Sequence, residues 1–146
     1  MPTPLSRYFT LEEMTLSQTA VRHGIDNTPT PEIESHLRAL CGAVLDPLRD
    51  QIGAPIVVSS GYRSLQVNRL VGGADDSQHV KGEAADIVCP ALGQPELFEK
   101  VRHSGLPFDQ LIDEFGSWVH VSYSPRNRRE VLRARKLNGK VEYTKL

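Results

Sequence analysis

Hydrophobic residues recur every three or four positions between residues 31 and 48, and this spacing predicts a long amphipathic helix. Thr30 suits the N-cap of that helix and Pro31 its first position. Pro47 is expected to kink or end the helix, because proline lacks a backbone N–H and clashes with the preceding turn. The predicted buried stripe consists of Ile33, Leu37, Leu40, Cys41, Val44, Leu45 and Leu48.

Shorter helices are predicted from capping patterns elsewhere in the chain. Residues 1–29 are expected to form an arm with short helices that packs on the domain. One of its helices starts at a capping box on Thr10, and another is closed by Gly24. Ser64 and Pro95 each mark the start of a further helix.

Short β-branched or alternating segments predict the strands. Residues 55–60 are interpreted as a buried strand that ends at Gly61, and residues 84–88 as a second strand. Two hairpins follow, one turning at Gly116 and the other at Asn138–Gly139. Since helices come early and strands late, the sequence predicts an α+β fold with helices packed on a mainly antiparallel sheet.

Composition and net charge are those of an ordinary globular protein. The 146 residues suit one domain spanning 1–146, with 39% hydrophobic and 24% charged residues and a formal net charge of −1. This balance gives no support for a nucleic-acid or membrane partner, and a monomer is expected. Cys41 and Cys89 belong to no CxxC or Cys/His cluster and are expected to be buried small hydrophobic residues.

The two ends of the chain differ in character. The first residues lack the basic and apolar regions of a signal peptide, so the expectation is a protein that is cytoplasmic at synthesis. From Ser124 onward, eight Lys or Arg residues stand against two Glu residues. That excess favours a solvated basic hairpin over a surface for an anionic partner.

The segment SQHVKGEAAD, residues 77–86, contains the most informative chemistry. His79 and Asp86 are separated by Gly82, and a turn at the glycine would bring these two metal ligands toward one point. A catalytic zinc ion normally takes three protein ligands. His120 is the best candidate for the third, because strand alternation in WVHVSY places it with Trp118 on the face opposite the valines.

At this point the motifs resemble a known family. The pattern Ser77-x-His79-x-x-Gly82-x-Ala84-x-Asp86, preceded by SGYRS and followed by WVHVS, is similar to the zinc D-alanyl-D-alanine carboxypeptidases, the M15 peptidases. The resemblance implies a hedgehog-like zinc peptidase fold and one zinc ion per chain. It also implies roles for individual residues: zinc ligands His79, Asp86 and His120, an oxyanion-stabilising or substrate-binding Arg63, and a substrate-contacting Ser77. Tyr62 either stacks on substrate in the cleft or belongs to the core.

The general base departs from the family pattern. Many members place a Glu or Asp three residues before the last histidine, and here that position is Ser117. Glu114, six residues before His120, is chosen instead, since the similar hedgehog domain has a glutamate at this spacing. Asp113 is the competitor, and alternation sends the two side chains to opposite faces. Asp109 is a weaker third choice.

The resemblance implies a zinc-dependent hydrolase that cuts peptide bonds in peptidoglycan stem peptides. Two modes stay open: removal of the terminal D-alanine, or endopeptidase cleavage between L-alanine and D-glutamate. By analogy, a short enzyme of this kind suits an endolysin released to the cell wall by a phage lysis system, or an enzyme carried in a virion. The alternative is a non-catalytic, zinc-stabilised binding module of hedgehog-like fold. A metal-dependent nuclease is disfavoured by the single-metal ligand set.

Overall fold

A computed structural model describes residues 2–146. Helices α1 and α2 lie in the N-terminal arm, and α3 and α4 form the long helix with a π-helical turn, Cys41–Leu45, between them. Helix α5 precedes the segment that carries His79, and α6 lies between the second and third strands. The helices are α1 Leu11–Thr15, α2 Gln18–His23, α3 Pro31–Leu40, α4 Asp46–Ile52, α5 Leu65–Leu70 and α6 Gln94–Arg102.

The predicted caps are confirmed. Thr10 and Glu13 form a reciprocal capping box at α1, and Gly24 closes α2 in the left-handed conformation. The side chains of Thr30 and Ser64 each accept a hydrogen bond from the backbone N–H three residues later, at the start of α3 and α5.

Pro47 does not end the long helix, so of the two predicted effects, a kink or an end, the second is wrong. The helix continues to Ile52, and the π-helical turn ends at Leu45, two residues before the proline. There the N–H of Asp46 donates to the carbonyl of Cys41, five residues earlier. This wider turn rearranges the carbonyls that a proline would otherwise clash with, so the chain stays helical.

Six strands form one sheet in the order β1-β2-β4-β3-β5-β6. Every neighbouring pair is antiparallel except β3 and β5, which are parallel. The sheet is therefore mixed and mainly antiparallel, and the α+β prediction is confirmed. The strands are β1 Val57–Ser60, β2 Ala84–Val88, β3 Gln110–Glu114, β4 Trp118–Ser122, β5 Glu130–Leu137 and β6 Lys140–Lys145.

Strand β1 lies at the edge of the sheet, and this corrects the expectation that it is buried. Val57 is 45% exposed, and the burial of the strand alternates between exposed and intermediate. A β-branched run alone does not distinguish an edge strand from a central one, because β-branched residues are enriched in strands generally and their burial depends on the neighbours that the strand meets.

The helices cover one face of the sheet. Ile87, Leu111, Val119 and Val121 lie on this face and pack into one hydrophobic core with the apolar stripe of the long helix. Cys41 and Cys89 belong to that core as free thiols, as predicted. Across residues 2–146, the helices are all too short or too polar to cross a bilayer. The opposite face of the sheet carries the polar residues described next.

Candidate metal centre

Two neighbouring strands and one loop bring three metal-binding side chains together. Asp86 of β2 and His120 of β4 are directly paired across the sheet, so their side chains share a face. His79 comes from the loop that precedes β2. All three are buried, with exposures of 8%, 7% and 2% for Asp86, His120 and His79. Their ligand atoms all lie within 4.8 Å of one another.

The hydrogen bonding of the group fits a divalent cation. His79 Nδ1 lies 2.7 Å from the carbonyl oxygen of Gly61, which can only accept, so Nδ1 carries the proton in the neutral ring. His79 Nε2 lies 3.2 Å from Asp86 Oδ1, and His120 Nδ1 lies at the same distance from that oxygen. Two ring nitrogens and a carboxylate oxygen that converge in a buried position match the three-ligand N/O set of a catalytic zinc site.

Asp86 is held in its ionised form. Burial alone would raise its pKa, but the adjacent His79 and His120 rings outweigh burial and set the pKa below its ordinary value. A permanently ionised carboxylate is the form that binds metal, so this electrostatic setting suits a ligand.

The turn predicted between the ligands is present at Gly82. Gly82 has φ +72°, and a Cβ added there would lie 2.7 Å from Ile33 Cγ2 and 2.8 Å from the Ile33 carbonyl oxygen. Beside it, His36 Nδ1 lies 2.7 Å from the carbonyl oxygen of Lys81. Helix α3 therefore buttresses the ligand loop directly, and a side chain at position 82 would push the two apart.

The three candidate carboxylates occupy different environments. Glu114 faces the metal-ligand side of the sheet and lines the cleft with His79, Asp86 and His120. Burial raises its pKa; the charge of Asp86 adds to that effect, while His120 and Arg63 oppose it. Asp113 lies on the helix side, where its carboxylate accepts hydrogen bonds from Gln94 and Arg133.

Asp109 is fully buried in an ion pair and does not reach the cleft. Its Oδ1 accepts from the backbone N–H and Nε–H of Arg128, and its Oδ2 accepts from Arg128 and from Gln78 Nε2 at 2.9 Å. Burial acts to raise its pKa, but these donors outweigh it and lower the pKa. Among the three, Glu114 is the carboxylate in the cleft.

Arg63 and Ser77 line the same cleft, which has a volume of about 870 Å³. Burial lowers the pKa of Arg63, and the charges of Asp86 and Glu114 act in the opposite direction. Within residues 2–146, the buried Nε of Arg63 finds no hydrogen-bond partner. The Ser77 hydroxyl accepts from the N–H of His79 at 3.2 Å. Both residues are therefore close to the ligand group.

Tyr62 does not line the cleft. It is 7% exposed and belongs to the main hydrophobic core, and its N–H donates to the carbonyl of Met14. Of the two interpretations of this residue, the structure supports the core position.

Sequence reasoning missed Asn27 of the N-terminal arm. Its amide nitrogen donates to the carbonyls of Thr15 and Tyr62 at 2.8 and 3.1 Å, and its oxygen accepts from the N–H of Ser64 at 2.7 Å. These bonds fix the backbone on both sides of Arg63. An Asn in a turn-rich segment gives no sequence signal for such a distant contact.

The second omission is the C-terminal hairpin β5–β6. Lys136, Val141 and Tyr143 of this hairpin line the cleft opposite the ligand loop. The hairpin was predicted as a solvated basic element, and every residue of β6 is exposed, but its position beside the cleft was not predicted. The alternation of Leu132 and Ala134, which are buried on this face, was the available signal.

The comparisons with known proteins agree with this geometry. The family model described as Peptidase M15 matches residues 7–122. The zinc D-Ala-D-Ala carboxypeptidase of Streptomyces albus G is 39% identical over 62 residues, which are 42% of this chain and 24% of that enzyme. The matched segment thus spans about a quarter of the relative's length. Because the family match covers most of the chain and contains all three residues of the buried His–Asp–His group, the protein belongs to the Peptidase M15 family, a family of zinc peptidases.

Proposed function

We propose that this protein is a zinc-dependent peptidase that hydrolyses peptide bonds in peptidoglycan stem peptides. The observation that carries the proposal is the combination in one cleft of the His79–Asp86–His120 group with Glu114 and Arg63. A zinc ion that only stabilises the fold needs neither a free carboxylate nor a free guanidinium beside it. The wall substrate rests on the partial match to the carboxypeptidase.

Each residue has a role that follows from its environment. Bound zinc supplies Lewis acidity that polarises the scissile carbonyl and lowers the pKa of a water from about 15.7 toward about 7. Glu114, whose pKa is raised, takes a proton from the attacking water and returns it to the leaving amine. The Arg63 guanidinium, with an unpaired buried Nε, stabilises the negative charge that develops on the carbonyl oxygen. Ser77 contacts the substrate from the ligand loop.

The first test is digestion of purified peptidoglycan, with the soluble products analysed by mass spectrometry. Carboxypeptidase action releases single alanine residues, whereas endopeptidase action releases longer stem peptides. The zinc-loaded wild-type protein is expected to produce one of these two product sets. Intact wall in the presence of zinc-loaded protein would refute the proposal.

A pair of variants separates metal binding from catalysis. His79→Ala is expected to lose both zinc and activity. Glu114→Gln is nearly isosteric and touches no ligand, so it should retain about one zinc per chain while activity falls by about 100-fold or more. Zinc content is measured by atomic emission on dialysed protein. If wild type and Glu114→Gln bind zinc equally and both leave the wall intact, the non-catalytic binding module is the correct function.

A further inference from the structure

The β5–β6 hairpin forms a wall of the cleft that lies outside the family match, which ends at residue 122. In the sheet, Glu114 pairs with Ala134 and Ala134 pairs with Tyr143. These three side chains therefore form one row on the cleft face. Ala134 contributes only a methyl group and is fully buried, and Tyr143 and Glu114 on either side of it line the same cleft.

Tyr143 is electrostatically coupled to the metal-ligand side of the cleft. Burial raises the pKa of its phenol, and the negative charges of Glu114 and Asp86 raise it further. The side chain nevertheless remains 56% exposed. A neutral hydroxyl that faces the cleft and is open to solvent is available to donate a hydrogen bond to a bound ligand.

Lys136 is the other polar group of this wall. Its ammonium lies 5.7 Å from the centre of the Phe115 ring, and within residues 2–146 no carboxylate lies within ion-pair distance of it. By contrast, Arg126 and Arg128, which also line the cleft, both form ion pairs with Asp109. Arg63 and Lys136 are thus the two cleft cations without a carboxylate partner among the described residues.

The two free cations approach the cleft from different sides. Arg63 follows β1 at one edge of the sheet, whereas Lys136 lies on β5 next to the other edge. The metal ligands Asp86 and His120 lie on the strands between them. A peptide that crosses the metal centre would therefore meet a positive charge on each side of the scissile bond.

We propose that Lys136 and Tyr143 form a subsite that binds a carboxylate of the peptide substrate, on the side of the metal centre away from Arg63. This inference rests on the proposed peptidase function. Lys136 supplies the charge, and the Tyr143 hydroxyl donates a hydrogen bond to the same carboxylate. Stem peptides carry two candidates, the free carboxylate of D-glutamate and the terminal carboxylate of D-alanine, and amidation distinguishes them.

The test measures peptide binding by isothermal titration calorimetry on the zinc-loaded protein that carries Glu114→Gln, in which turnover is expected to be slowed about 100-fold or more. The probe is the synthetic peptide L-Ala-γ-D-Glu-L-Lys-D-Ala-D-Ala, which contains the bonds cut in both modes, in three forms: unmodified, amidated at glutamate, and amidated at the C-terminus. Amidation of the carboxylate that Lys136 binds should weaken binding about tenfold, the effect of one charge-assisted contact. When Lys136→Met is combined with Glu114→Gln, the difference in affinity between the unmodified and the amidated peptide should fall below about twofold.

Arg135→Met is the matched control, since Arg135 is an exposed cation on the neighbouring position but does not line the cleft. It should keep the full tenfold difference. Tyr143→Phe removes only the hydroxyl and should reduce the difference to about threefold. Three results would each refute the subsite. The first is that Lys136→Met shows the same affinity difference between unmodified and amidated peptides as the protein with Glu114→Gln alone. The second is that Arg135→Met loses this difference to the same extent as Lys136→Met, and the third is that none of the peptides binds.

Failure of the proposed function has a different signature. If the wild-type protein with Glu114 intact leaves the peptides uncut, but Lys136-dependent discrimination persists, the subsite stands as a peptide-binding site and the peptidase proposal fails. If the peptides are cut but discrimination does not depend on Lys136, the peptidase proposal stands and the subsite is refuted.

Discussion

Replacement of Gly82 by alanine should weaken both the fold and metal binding, because the new methyl group has no room. An alanine at φ +72° is strained by about 1 kcal/mol. Its Cβ would also lie 2.7 Å from Ile33 Cγ2 and 2.8 Å from the Ile33 carbonyl oxygen. Relief of such overpacking costs about 1–3 kcal/mol. The free energy of unfolding should therefore fall by about 2–4 kcal/mol.

Gly105→Ala provides the matched control. Gly105 has φ +76°, but no atom lies within 4 Å of the position that a Cβ would occupy. This variant should lose only the strain, about 1 kcal/mol. For a chain of this size each kcal/mol lowers Tm by about 2–4 °C, so the two variants should be separable by calorimetry of the metal-free proteins.

Gly82→Ala should also lower zinc affinity by about tenfold or more, since the displaced loop carries His79 and leads into Asp86. Competition with a zinc chelator measures this effect, and Gly105→Ala should bind zinc as the wild type does. Equal Tm losses in the two variants would refute the steric argument. Normal zinc affinity in a strongly destabilised Gly82→Ala would refute the link between helix α3 and the metal site.

Three further predictions concern polar side chains in and around the cleft. In the metal-free protein, burial raises the pKa of Glu114, so ionisation of this group destabilises the fold as pH rises through that pKa. Glu114→Gln should therefore gain stability over the wild type from about pH 4.3 upward. If urea titrations give a stability difference between the two proteins that does not depend on pH, this prediction is wrong. Asp109→Asn leaves Arg128 facing an amide instead of a carboxylate and should lower the free energy of unfolding by about 3 kcal/mol, as measured by urea denaturation; a loss under about 1 kcal/mol would show that the ion pair contributes little. Asn27→Ala frees the backbone beside Arg63 and should lower kcat/KM on stem peptides about 10- to 100-fold with zinc content unchanged, whereas unchanged kinetics would deny Asn27 a positioning role.

Local patterns predicted the elements of the fold well because the determinants are local. Capping residues such as Thr10 and Thr30 form bonds with backbone groups three positions away, so their identity is enough to place a helix start. The exception at Pro47 has a physical reason as well. The compensating π-helical turn depends on the packing of the whole long helix and has no sequence signature of its own.

The order of strands in the sheet was less accessible. Hairpins β3–β4 and β5–β6 follow from alternation and turn residues. The parallel pairing of β3 with β5, however, joins two strands that have β4 between them in the sequence. That pairing places Lys136 and Tyr143 at the cleft. The sequence indicates that Lys136 and Tyr143 lie in a hairpin, but it does not indicate that this hairpin pairs with β3.

The candidate site shows the same division. His79, Asp86 and His120 were found because two of them lie in one short segment and the third lies on an alternating strand. Strand alternation placed Glu114 and Asp113 on opposite faces, but the choice of Glu114 came from the family resemblance, and only the structure identifies the face that lines the cleft. The position of Tyr62 in the core was left open, since the residues after β1 have no periodicity to assign a direction.

The ion pair of Asp109 connects two parts of the cleft lining. One of its oxygens accepts a hydrogen bond from Gln78, which adjoins the ligand His79, and both accept from Arg128, which leads into the hairpin through Glu130. Gln78 and Arg128 both line the cleft, whereas Asp109 does not. The separation between the ligand loop and the start of the hairpin is therefore constrained by a carboxylate that lies behind the cleft surface.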